Sequence, residues 1–168
     1  QFVRERIFKP LGMNETRITS DGLDPATGNV AVPHSKGWRL VGTLRPLAPT
    51  RDAVWAAAAG IKSNVSDLTK WVTLQLEGGK LPNGAALFSR KQAAEMWSAQ
   101  IPVPIREPIP ALKSTRPNFS AYGLGWFLRD YHGRKIVTHT GGLTGMVSLT
   151  LLVPEEKLGI IVLTNQEE

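Results

Sequence analysis

Four consecutive residues carry most of the chemistry that this sequence offers: His139-Thr140-Gly141-Gly142. They combine an imidazole, a hydroxyl and two backbone amides with no side chain beside them. Imidazole changes charge near neutral pH and can give or take a proton. Glycine lets another molecule approach the main chain closely. Groups of this kind suit the wall of a site that attacks a carbonyl. Taken alone, the four residues also fit a blander description, with Gly141-Gly142 serving a turn or bulge and His139 a hydrogen-bonded histidine at a strand end.

Other generic signals are absent. There is no Gly-x-Ser-x-Gly elbow, no P-loop and no His-Glu-x-x-His. His34, His132 and His139 are far apart and lack metal-ligand spacing. Gly123-Leu124-Gly125 sits in a strand-like segment without the helix that a dinucleotide fingerprint requires. The chain has no cysteine, which excludes disulfides, thiolate metal sites and a cysteine nucleophile. No metal and no cofactor are expected.

The 168 residues are enough for one domain with a core. No apolar run reaches the roughly 18 residues of a membrane span. The formal net charge is +6, which could signal an anionic partner such as nucleic acid. The basic residues are scattered among acidic ones, as in Arg4-Glu5-Arg6 and Glu155-Glu156-Lys157, so a solvated basic surface is the better reading and no nucleic-acid partner is expected. Gln1 to Phe8 carries charges where a signal peptide has an apolar core. The chain opens as though inside a helix and stops at Glu168 after a strand-like run, so both ends are expected to be cuts.

These residues need elements to position them. Phe2, Val3 and Ile7 suggest an opening helix over Phe2 to Phe8, ended by Pro10 and Gly12. From Asn14 to Ala59 the pattern is irregular, with many prolines and glycines, and reads as a long loop with brief strands. Ser63 is a plausible N-cap for a helix with Val65, Leu68, Val72 and Leu76 on its apolar face, closed by Gly78-Gly79. Ser89 and Gln92 form a capping-box pattern for a second helix. Ile101 to Pro117 holds five prolines and reads as extended or loop. Tyr122 to Arg129 reads as a strand, His132-Gly133 as a turn and Lys135 to His139 as the returning strand. Val147 to Val153 alternates, Pro154-Glu155-Glu156-Lys157 turns the chain, and Leu158 to Leu163 reads as a strand buried on both faces. Short turns imply antiparallel neighbours. The expected architecture is α/β of the α+β type: an antiparallel sheet flanked by helices, with residues 1–118 helical and loop and residues 119–168 the C-terminal strands.

The motifs along the chain resemble those of the serine β-lactamase and penicillin-binding-protein superfamily, in its class C-like branch of esterases, D,D-peptidases and D-aminopeptidases. Phe8-Lys9-Pro10-Leu11-Gly12-Met13 with Thr16, Ala59-Gly60-Ile61-Lys62-Ser63 with Asp67-Leu68, and Tyr122-Gly123-Leu124-Gly125-Trp126 come in the family's order. His139-Thr140-Gly141-Gly142, Gly145, Ser148, Val153-Pro154 and Leu163-Thr164-Asn165 complete it. The resemblance implies a bacterial hydrolase, periplasmic or at the cell envelope, acting on a small ester, amide or peptide through an acyl-serine intermediate. It implies a Ser-x-x-Lys nucleophile motif and a Tyr-x-Asn or Ser-x-Asn motif, neither of which this sequence contains. Both lie upstream in the family, so the chain is expected to be part of a β-lactamase-like domain, without the N-terminal strands, nucleophile helix and C-terminal helix, and inactive alone. By the same resemblance Gly142 N–H is an oxyanion donor, His139 stands where a lysine would hold a β-lactam carboxylate, and Thr140 and Gly141 line the substrate. His34, in Val32-Pro33-His34-Ser35, is a candidate substrate-lining residue. Histidine in place of lysine suits an esterase, peptidase or amidase better than a dedicated β-lactamase. The alternative is a non-catalytic module of the same fold used for binding or scaffolding.

Overall fold

A computed structural model of the chain describes residues 1–36, 43–48 and 56–167. Part of the long-loop reading, with Gly37, Trp38, Gly42, Pro49 and Trp55, lies outside the described residues. Two short strands, β1 (His34–Ser35) and β2 (Arg45–Pro46), pair antiparallel. Six more form one sheet: β3 (Ile101–Pro102), β4 (Ser120–Tyr122), β5 (Phe127–Tyr131), β6 (Arg134–Leu143), β7 (Met146–Val153) and β8 (Leu158–Thr164). Each strand lies beside its sequence neighbour, in the order β3-β4-β5-β6-β7-β8. The ladders from β3 to β6 are antiparallel. The helices are α1 (Lys9–Leu11), α2 (Ala56–Ala59), α3 (Val65–Leu76) and α4 (Arg90–Met96). The expected α+β class and antiparallel sheet are therefore present.

The chain packs as two compact units. One comprises Gln1–Leu68, Thr140–Leu149 and Ile161–Glu168, and the other Thr69–His139 and Thr150–Ile160.

In the second unit, Val72 and Leu74 of α3, Ala93 of α4, and Ala121, Leu128, Ile136, Val137, Leu152 and Val153 of the strands are buried. The helix meets the sheet at Gly159, where a side chain would collide with Val72, beside Leu152 and Leu76. A residue without Cβ is what allows this approach. Gly78 and Gly79 close α3 with positive φ, and Gly79 N–H donates to the Leu74 carbonyl at 2.9 Å. The capping box of α4 forms: Gln92 N–H donates to Ser89 Oγ at 3.2 Å, and Ser89 N–H to Gln92 Oε1 at 3.0 Å. His132 (φ 48°) and Gly133 (φ 77°) make the two-residue turn between β5 and β6. Two positive φ values match the twist of a tight hairpin.

Four expectations need correction in these elements. Tyr122 to Arg129 is not one strand: Gly123 to Trp126 turn the chain between β4 and β5. The turn is fixed because Gly123 lies against the Met96 and Ser98 carbonyls, where any Cβ would collide, and because Gly125 takes φ 82°. The proline-rich stretch contains a short 3-10 helix, Pro110–Thr115. It starts on proline, which tolerates a first-turn position because that N–H has no intrahelical partner. Pro10 does not end the opening helix: it lies inside α1, which follows a π-helical turn at Arg4–Phe8 and is capped by Gly12 at φ 66°. Finally, β8 is not buried on both faces. It is the last strand of the sheet, with Leu158 46%, Ile160 42% and Val162 44% exposed. In the second unit Gly159 faces α3, so Leu158 and Ile160 point to the opposite face, where both remain exposed.

The loop before β4 is tied down by Asp130 on β5. Its carboxylate accepts from Asn118 Nδ2 at 3.0 Å and from the amides of Phe119 at 2.8 Å and Asn118 at 2.7 Å. The Asn118 side chain, then the Phe119 amide, hold the Asp130 carboxyl below its ordinary value. A folded value below the unfolded one gives stability that is complete above the ordinary carboxylate range and lost as pH falls through the lowered value. Asp130→Asn should therefore flatten the acid limb of stability. Urea midpoints of the two proteins between pH 6 and pH 3 check this, and parallel curves would remove the role.

The first unit is held by a buried polar cluster. Asp67, 3% exposed, accepts from Glu15 N–H and from Thr16 Oγ1, both at 2.9 Å. Since the Thr16 proton goes to the carboxylate, the Ser63 hydroxyl donates to Thr16 Oγ1 across 2.8 Å. Ser63 is therefore not the N-cap of α3. Asn64 is, its Oδ1 accepting from Asp67 N–H at 2.9 Å. Arg17 and Lys62 exchange two backbone bonds of 2.9 Å. Gly60, after α2, sits against the Ile18 and Ala56 carbonyls with no room for a Cβ.

Candidate active site

His139 belongs to the second unit and its side chain is exposed. Its Nε2 lies 3.2 Å from the Tyr122 hydroxyl. The Tyr122 and Phe127 rings stand 6.2 and 5.9 Å from the imidazole, and meet each other edge-on at 4.7 Å. The register explains the cluster: Tyr122 pairs with Phe127 across β4 and β5, and Phe127 pairs with Thr138 next to His139. Tyr122 reads as a core residue in the sequence. It is half-buried, with a polar tip on the histidine, whereas Trp126 is buried as expected. Nothing local in the sequence couples Tyr122 to His139, because the pairing depends on a hairpin read as one strand.

Thr140, Gly141 and Gly142 belong to the first unit. They continue β6 rather than forming a turn; the turn is Thr144-Gly145, with Gly145 at φ 77°. A two-residue loop makes Leu143 and Met146 a hydrogen-bonded pair, so 141 and 143 direct their amides to β7. The 3.4 Å approach of Thr164 Oγ1 to the Val147 carbonyl agrees, since it turns residue 147 towards β8. Thr140 and Gly142 consequently direct their N–H groups to the other edge of β6. The β5–β6 ladder ends at Phe127↔Thr138, so no β5 partner takes these amides.

The two glycines differ. A Cβ on Gly141 would stand 2.5 Å from Ser148 Oγ on β7. A Cβ on Gly142 would meet no described atom within 4 Å. The steric demand for glycine thus lies at 141, and Gly142 faces open space. Thr140, Gly141, Gly142 and Ser148 line a cavity of about 1520 Å³ within the first unit, together with residues of the 15–33 segment, of 56–64 and of Leu163–Asn165.

His34 does not line this cavity, although its neighbour Pro33 does. Its Nδ1 lies 2.8 Å from the Val32 carbonyl, and its backbone N–H donates to the Gly145 carbonyl at 3.2 Å. Asn165, the last residue of the Leu163-Thr164-Asn165 motif, does line the cavity and donates from Nδ2 to the same Val32 carbonyl at 2.9 Å.

The fold and these motifs define a serine-hydrolase superfamily, that of the serine β-lactamases and penicillin-binding proteins. Residues 1–168 match the Beta-lactamase family model, and the chain belongs to that family. It is 30% identical over 162 residues to the "Unguisins hydrolase ungD'" of Aspergillus campestris (strain IBT 28561), covering 96% of this chain and 28% of that protein. It is 26% identical over 169 residues to "Protein flp" of Staphylococcus aureus (strain N315), covering 98% of this chain and 28% of that protein. The chain thus spans little more than a quarter of these curated relatives. In fold it is similar to the octameric penicillin-binding protein homologue from Pyrococcus abyssi, with TM-score 0.76 and 23% identity over 99% of this chain and 33% of that one. It is also similar to a D-stereospecific amidohydrolase from Streptomyces sp., with TM-score 0.68 and 19% identity over 97% of this chain and 42% of that one. No helix among the described residues is long and apolar enough to cross a membrane.

Proposed function

We propose that this chain supplies the oxyanion strand and one pocket wall of a serine hydrolase that cleaves small esters or amides, including D-amino-acid peptides and β-lactam-like substrates. The observation that carries the reading is Gly142: its N–H leaves β6 on the edge beyond the last β5 pair, and no described atom lies within 4 Å of its Cβ position. A donor fixed there meets the negative oxygen that forms when a serine attacks a carbonyl. The attacking Oγ gives its proton to a lysine base and forms the C–O bond. The leaving alcohol or amine takes a proton as its bond to carbon breaks, and water then hydrolyses the acyl-serine. By family resemblance, the serine and lysine come from a Ser-x-x-Lys motif outside these 168 residues.

In this reading His139 moves or holds a proton, and Tyr122 sets its ring through the 3.2 Å bond. His139 in place of lysine leaves no fixed cation there for a β-lactam carboxylate. The support is the family match, with one relative named a hydrolase. His139→Ala, made in the protein that also carries Ser-x-x-Lys, should slow the acylation burst with p-nitrophenyl acetate by about a hundredfold. Tyr122→Phe should slow it less. Burst rates measured from pH 5 to pH 8 decide: a His139→Ala profile that overlays the parent's removes the role. The 168-residue chain alone should show no turnover sensitive to a serine-directed inhibitor. If the longer protein also shows none, the non-catalytic binding module is the better account.

A further inference from the structure

We propose that Asn165 selects the substrate, presenting its Oδ1 as an acceptor to an ammonium or amide N–H on the acyl portion. This rests on the hydrolase reading above and deepens it. Asn165 follows β8 and lines the same cavity as Thr140, Gly141, Gly142 and Ser148. Its amide could in principle turn either way, but its neighbours decide. Nδ2 stands 2.9 Å from the Val32 carbonyl, which can only accept. His34 Nδ1 lies 2.8 Å from the same oxygen and must carry its proton there. Two donors therefore converge on one carbonyl. The 3.4 Å separation of Asn165 Nδ2 and His34 Nδ1 is the side-by-side spacing of these donors.

With Nδ2 committed, Oδ1 is left without a hydrogen-bond partner among the described residues, on an exposed side chain. The adjoining backbone is held as well. Thr164 Oγ1 donates to the Gln166 carbonyl at 2.9 Å, Gln166 bridges His34, and Gly145 N–H donates to Glu167 at 2.8 Å. Such an acceptor is oriented before the ligand arrives and loses little freedom on binding. Thr140 and Ser148 carry hydroxyls that can donate or accept, so they do not discriminate. An oriented carbonyl oxygen does: it attracts N–H and repels a carboxylate. His34 is then a positioning residue that acts through Asn165.

The test uses the protein that carries Ser-x-x-Lys and three p-nitrophenyl esters: of D-alanine, of propionic acid and of succinic acid. The parent should favour the D-alanine ester over the propionate in kcat/KM by about tenfold or more, mostly through KM, and should disfavour the succinate. Asn165→Ala should bring the D-alanine preference close to one. Asn165→Asp should keep a preference for the D-alanine ester and deepen rejection of the succinate. Thermal melts of both variants show that they are folded, and if Ala fails to fold, Asp still decides. Turnover of the propionate ester with a D-alanine preference that Asn165→Ala leaves intact, or a parent that favours the succinate, overturns this inference alone. No turnover of any ester overturns the hydrolase reading and this inference with it.

Discussion

In the longer protein that carries Ser-x-x-Lys, the proposed oxyanion role predicts that Gly142→Pro should lower kcat for ester hydrolysis by about a hundred- to a thousandfold, the usual loss on removing one such donor. Proline deletes the amide hydrogen and adds a ring. In most strands the ladder would break as well. Here the Gly142 amide points to the edge of β6 beyond the Phe127↔Thr138 pair, so no β5 bond is lost. No described atom lies within 4 Å of the Cβ position, and Gly141 already has the extended backbone that a following proline requires. Gly142→Ala keeps the N–H and should lose far less. The comparison separates the hydrogen from the side chain: stopped-flow acylation rates and melting temperatures of the two variants are the measurement. A proline variant as fast as the alanine variant would show that the Gly142 amide does not touch the developing charge.

Asp67→Ala should destabilise the protein by about 3 kcal/mol, the scale of losing two hydrogen bonds to a buried charged acceptor. The carboxylate takes Glu15 N–H and Thr16 Oγ1 at 2.9 Å and links the segment after α1 to the start of α3. Removing it leaves an amide and a hydroxyl to be satisfied where Thr16 is only 8% exposed. Asp67→Asn keeps one acceptor and should cost less. Thr16→Val removes the proton given to Asp67 and the acceptor offered to Ser63, and should fall between parent and Asp67→Ala. Denaturant unfolding of the three variants gives the order. In the longer protein the loss should also reach the proposed activity, because Glu15 and Arg17, beside Thr16, and Ser63 itself line the cavity. An Asp67→Ala protein with the parent's unfolding midpoint would sink the argument.

The same cluster explains two of the motifs by which the family is legible. Thr16 and Asp67 are 51 residues apart in sequence and 2.9 Å apart in space. A sequence shows both, but not that one side chain serves the other. Ser63 shows the limit from the other side. A serine before an apolar helical run fits an N-cap, yet Asn64 occupies that position and frees the Ser63 hydroxyl for Thr16. Local capping chemistry predicted that a cap exists, and a long-range bond decided which residue supplies it. At α4 there is no such competitor, and the Ser89–Gln92 box forms as read.

The strands divide in the same way. His132-Gly133 is legible because a tight hairpin needs positive φ at both positions, which is a local constraint. The Leu158 to Leu163 run is apolar throughout, and periodicity cannot say how many layers cover it. Its place at the sheet edge leaves Leu158 and Ile160 exposed. The turn at Gly123 to Trp126 escaped because its cause, the Met96 carbonyl, lies on another element.

By itself, the sequence determined the family, the α+β class, most of the helices and turns, and the four residues His139 to Gly142 as the place to look. Those features depend on residue types at short spacing, and backbone preference and motif order act within a few residues. Only the tertiary structure decided that Gly142 rather than Gly141 faces open space, that His139 meets Tyr122, and that Asn165 Nδ2 meets the Val32 carbonyl. Each of these follows from which strand ends where and which carbonyl lies opposite. Such facts arise when distant segments pair and pack, so no local pattern encodes them.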